Sequence, residues 1–144
     1  MYKIVKFLIL LFFSGPSLAV DGLHGGLEAS DWRLDRYLDA SGHITAVLPG
    51  TTVTASFMGG KLSGNAGCNS FTASYEIKGD QITMGPGMTT RKHCAEPDGI
   101  MEQEQEYLQA LSRVRVYVLT DTGLKLRDEK GSLQVNFVVG DEAQ

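Results

Sequence analysis

No stretch of this 144-residue chain is apolar for long enough to cross a bilayer. A spanning helix needs about 20 apolar residues, whereas the run Phe7-Leu-Ile-Leu-Leu-Phe-Phe13 ends at Ser14-Gly15-Pro16. Positive charge is also scarce. There are 13 Lys and Arg against 17 Asp and Glu, a formal charge of -4. An acidic domain is repelled by phosphate backbones and anionic lipid surfaces, so no nucleic-acid partner is expected. Prolines number 4, and no proline-rich linker, low-complexity tract or charge run divides the chain. That leaves one domain. Cysteines number only 2, Cys68 and Cys94.

What is present begins with an export signal. Lys3 and Lys6 precede the apolar run, and Ser17-Leu18-Ala19 follows the breakers. This positive, apolar, small-residue order is that of a cleavable signal peptide, predicted to be cut after Ala19. Lipid attachment would require Cys at the cut, but Val20 stands there. The expected mature protein is periplasmic or secreted, has no transmembrane anchor, and is monomeric. Loss of Lys3 and Lys6 takes its formal charge to about -6. About 125 residues remain, enough for one core. In an oxidising compartment an even cysteine count favours a disulfide. A Cys68–Cys94 bridge would close a loop worth roughly 3–3.5 kcal/mol by chain entropy.

Residues 20–30 are Gly-rich and unpatterned and are predicted to be a flexible arm. The domain is predicted over 31–140. Trp32 and Leu34 alternate with polar residues, as in a half-buried strand. After a looser stretch around Ser41-Gly42, Val53, Ala55 and Phe57 share one face. Gly59-Gly60 signals a hairpin that returns through Lys61-Leu62-Ser63. Phe71, Ala73, Tyr75 and Ile77 alternate, and Gln81 to Met84 follows the turn at Lys78-Gly79-Asp80. Strands are predicted again over Arg115–Leu119, Leu124–Leu126 and Leu133–Phe137. Between Asp98 and Val114 the period changes. Ile100, Met101, Tyr107, Leu108, Leu111 and Val114 fall at helical spacing, with Asp98 as expected N-cap. Glu102, Glu104 and Glu106 look like a paired-carboxylate set, but Glu102 and Glu106, which share a face one turn apart, are read as a solvated face. The predicted fold is α+β: a mostly antiparallel, curled or barrel-like sheet of about 7–8 strands packed on one amphipathic helix.

Two strings stand apart. Gly64-Asn-Ala-Gly67-Cys68-Asn69-Ser-Phe71 suits a tight turn with positive φ, and Met88-Thr-Thr90-Arg-Lys-His-Cys94 precedes the helix. Cys68, His93 and Asn69 supply the residue types of a thiol hydrolase. Yet Asn69 adjoins Cys68, where the orienting group should lie beyond the histidine, and Cys94 competes for Cys68. Met84, Met88, His93 and Cys94 offer soft ligands suited to Cu(I), a reading that a disulfide would remove. His24 and His43 lie in Gly-rich loops and are expected to be solvated. Trp32 is expected in the core.

Together these strings resemble the META domain, or HslJ-like, family. The shared features are the early strand with Trp32, the Gly64 to Asn69 turn with its Gly67-Cys68-Asn69 core, and the strand with Phe71 and Tyr75. The Thr90-x-x-x-Cys94 segment, the acidic helix from Met101 to Leu111, and the final hairpins complete the match. The resemblance spans about residues 31–138. It implies an exported or envelope-associated bacterial protein linked to heat shock, stress or antibiotic tolerance, and in a protozoan branch to virulence and secretion. Some relatives look lipid-anchored, which Val20 argues against here. The resemblance implies no catalytic residue set and no cofactor. The expected function is therefore non-enzymatic, with an unidentified envelope protein or small ligand as partner. The alternatives are a periplasmic small-ligand or soft-metal-binding protein and, third, a cysteine-dependent enzyme.

Overall fold

The computed structural model describes residues 25–140; the predicted signal peptide and the first part of the predicted arm lie outside them. The chain runs α1 (Gly25–Glu28), β1 (Trp32–Leu38), β2 (Ile44–Ala46), β3 (Thr54–Met58), β4 (Lys61–Asn65), β5 (Ser70–Lys78) and β6 (Gln81–Thr89). It continues α2 (Ile100–Ser112), β7 (Val116–Thr120), β8 (Gly123–Arg127) and β9 (Leu133–Val139). The nine strands form one antiparallel sheet in the order β2-β1-β3-β4-β5-β6-β7-β8-β9, and a β1–β9 pairing curls it into a ring. The predicted α+β class and barrel-like curl are those observed. The extra strand is β2, in the stretch read as loose. It pairs with the second half of β1, while β3 takes the first half of the same edge.

Alternation places Ala55, Phe57, Leu62, Phe71, Tyr75, Ile82, Leu124, Leu126, Val135 and Phe137 inside the ring. β1 changes phase at an irregularity between Leu34 and Arg36, which is why Trp32, Leu34 and also Tyr37 are buried. α2 lies against this interior. Tyr107 is fully buried between Phe71 and Phe137, edge-on to both at ring-centroid distances of 5.8 and 6.4 Å.

Three expectations need correction. The arm is not loose throughout, because from Gly25 it forms α1. Leu27 is fully buried, and its carbonyl accepts a hydrogen bond from Trp32 Nε1 at 3.0 Å. Glu28 Oε1 accepts from Tyr75 Oη at 2.6 Å and from the Gly59 amide at 3.1 Å, so α1 is fastened to β5 and to the β3–β4 turn. A Gly-rich string has no period to reveal one buried leucine. Secondly, Asp98 does not cap α2. The N-cap is Gly99 at φ 85°, with no side-chain cap, and the Gly99 carbonyl accepts from the Gln103 amide. Thirdly, the acidic face of α2 is not wholly solvated, because Glu104 is buried beside Gln103.

Candidate functional site

The two singled-out strings meet at the N-terminal half of α2. Gly64 lies in β4 against β3, where an added Cβ would overlap the Thr54 carbonyl. Only glycine allows that approach. Asn65 Oδ1 accepts from the Gly67 amide at 2.8 Å, closing an Asx-type turn. Gly67 follows at φ 120°, facing Gln103 and Ile100. The turn thus presents Cys68 and Asn69 toward α2 with their amides pointing at the helix.

Glu104 receives them. Its Oε2 accepts from the Cys68 amide at 3.0 Å and the Asn69 amide at 2.7 Å, and its Oε1 accepts from Asn69 Nδ2 at 2.6 Å. Three N–H donors on one buried carboxylate make a strong, charge-assisted cluster. Asn69 then reaches the second string. Its Oδ1 accepts from Thr90 Oγ1 at 2.8 Å and from the Lys92 amide at 2.7 Å, and Nδ2 also donates to the Lys92 carbonyl at 3.1 Å. Cys68 and Cys94 are joined by a disulfide with Cα atoms 5.9 Å apart. The loop from Thr90 to Gly99 is thus held at Thr90, Lys92 and Cys94.

All eight motif residues singled out above are accounted for. Gly64, Gly67, Cys68, Asn69, Thr90 and Cys94 build or border this cluster. Phe71 leaves it to pack on Tyr107. Tyr75 lies elsewhere, 5.2 Å from the Phe57 ring and bonded to Glu28. Burial and that hydrogen bond raise its phenol pKa to about 12. The residue that sequence reasoning missed is Glu104. Its signal was its place four residues after Ile100 and three before Tyr107, on the stripe that faces inward.

The arrangement bears on the chemical alternatives. A disulfide sulfur is neither a thiolate nucleophile nor a thiolate ligand, so the Cys68–His93–Asn69 and Met84–Met88–His93–Cys94 readings do not match the observed bonding. His93 is exposed on the loop, and Asn69 is spent on backbone and Glu104. Among the described residues no group of three His, Cys, Asp or Glu is placed to hold a metal ion. No helix among them is long and apolar enough to cross a membrane.

The profile of the META domain family matches residues 25–139, which includes α1 and the whole ring. The chain belongs to the META domain family. An NMR structure of a protein from Burkholderia xenovorans is similar at TM-score 0.64 and 25% identity, over 81% of this chain and 85% of that one. A second NMR structure is similar at TM-score 0.58 and 20% identity, over 81% and 93%. A crystal structure of a DUF4847 family protein from Bacteroides vulgatus shares the fold at TM-score 0.57 and 13% identity, over 85% and 100%. No curated protein matches the chain in sequence.

Proposed function

We propose that this META domain is exported and non-enzymatic, and that it acts by binding in the cell envelope under heat, drug or other stress. The observation that carries the reading is the bonding at the motif. Both cysteines are in one bridge, and both carboxylate oxygens of Glu104 accept from the turn. The residues with the most chemistry are thus occupied in holding loop, turn and helix together. A disulfide is a feature of exported proteins, which agrees with the signal-peptide order of residues 1–19. The periplasm or the extracellular medium is the proposed location.

The test is expression of the full chain in a Gram-negative host, followed by fractionation and intact mass. The expected species starts at about Val20 and lies in the periplasmic or extracellular fraction. A cytoplasmic species retaining Met1 would refute export. For the non-enzymatic part, a host lacking the gene is challenged with heat and drug, then complemented. His93→Ala should complement as well as the wild type, and its failure would return attention to loop chemistry.

A further inference from the structure

Between β6 and α2 the ring of strands is open. β6 pairs with β7 only at Gln81 and Val116, so among the described residues Thr83 to Thr89 have no strand partner on that side. α2 crosses the gap without sealing it, and a cleft of about 190 Å³ remains. On the sheet side its centre is the cross-strand pair Ala73 and Gly87, flanked by Phe71 and Met84. On the helix side Leu108 and Leu111 face it. Although 21% of the chain is charged, no charged side chain among the described residues lines the cleft.

Small residues line the sheet side of this space. Gly87 has no positive φ, and an added Cβ would meet the Thr72 carbonyl at 3.3 Å and Ala73 Cβ at 3.7 Å. Alanine would fit there only if the Thr72 backbone carbonyl gave way by a few tenths of an ångström. Unfilled apolar space forfeits dispersion energy, so the small pair at 73 and 87 maintains an opening at a cost in packing. Met88, at the mouth, is 75% exposed.

Size and lining define the ligand. An apolar cavity of about 150 Å³ lined by Leu, Ile and Phe holds benzene, so this cleft has room for one ring bearing a small substituent or a fused second ring. Met84 and Met88 bring thioethers, which favour aromatic ring edges, and Phe71 brings a ring face or edge. An ionised group would be desolvated here without a counter-charge. We propose that the cleft between β6 and α2 is a binding site for a small, uncharged aromatic molecule. This goes beyond the envelope role above and does not depend on export.

Indole serves as the probe, titrated into mature protein carrying ¹³C-methyl methionine and followed by NMR. The Met84 and Met88 methyl signals should shift saturably, while Met58, 70% exposed on β3, should not move with them. Ala73→Leu, which fills the sheet side, should weaken binding about tenfold or more. Leu108→Phe fills the helix side and replaces Ala73→Leu as the test if that variant does not fold. Non-saturating shifts, equal shifts at Met58, or unchanged affinity in a folded, filled variant would overturn the site. Equal binding of cyclohexanol would overturn the assignment to an aromatic ring.

Discussion

Asn69 Nδ2 stands 2.6 Å from Glu104 Oε1, across 35 residues of chain, and both side chains are buried. This pair couples three segments. Glu104 holds the turn through the Cys68 and Asn69 amides, and Asn69 holds the loop through Thr90 and Lys92. The disulfide fastens the same turn and loop a second time.

Replacing Glu104 should therefore unfold more than a surface glutamate would. Glu104→Ala leaves two backbone amides and the Asn69 amide buried without their acceptor. Each unmet buried donor costs about 1–3 kcal/mol, and more when the lost partner is charged. A loss of about 3–5 kcal/mol in urea unfolding is expected, given the ceiling on ordinary single substitutions. Glu104→Gln retains one oxygen acceptor but turns an NH₂ group toward a donor, so a smaller loss is expected. Glu102→Ala, two residues before it and exposed, serves as the comparison.

Tyr107 offers a substitution of opposite sign. Its ring is packed between Phe71 and Phe137, yet its hydroxyl is buried with no hydrogen-bond partner among the described residues. Burial raises its pKa far above the ordinary phenol value. Tyr107→Phe keeps the ring contacts and removes the unmet hydroxyl. Thermal unfolding should show a gain of about 1 kcal/mol; a clear loss would reveal a partner for the hydroxyl.

Alkaline stability should depend on Tyr75. Its folded-state pKa is raised to about 12 from 10.0, first by burial and then by the hydrogen bond to Glu28. A raised pKa means that the unfolded chain releases this proton first. The neutral phenol's contribution is complete below pH 10.0 and is lost as pH rises toward about 12. Tyr75→Phe cannot ionise, so its urea midpoint should fall less steeply between those pH values. Burial also raises Tyr37, Tyr107 and Tyr117, so the slope should be reduced rather than abolished.

Much of the architecture was legible because the period was. Phe71 to Ile77 alternate and are a strand; the Ile100–Leu111 stripe is a helix. The legible part of the site was the pair of cysteine strings, since turn chemistry and an even cysteine count act locally. Glu104 was not legible as a buried group. Helical spacing puts Ile100, Met101, Tyr107, Leu108 and Leu111 on the apolar stripe, whereas the buried residues of α2 are Ile100, Gln103, Glu104, Tyr107, Ala110 and Leu111. Glu104 is drawn inward as the acceptor of the Cys68 and Asn69 amides, a requirement set by a segment about 35 residues away. α1, with Leu27, and β2 were missed for another reason. Each is too short to show a period.

The central claim is that Cys68 and Cys94 are a structural staple of an exported domain and carry no thiol chemistry. The direct measurement is thiol titration of the naturally exported protein, native and then denatured without reductant. No free thiol should appear in either state. The Cys68→Ser, Cys94→Ser double variant should lose about 3 kcal/mol of stability. Two titratable thiols in the exported, denatured protein would contradict the account and restore the nucleophile and soft-metal readings.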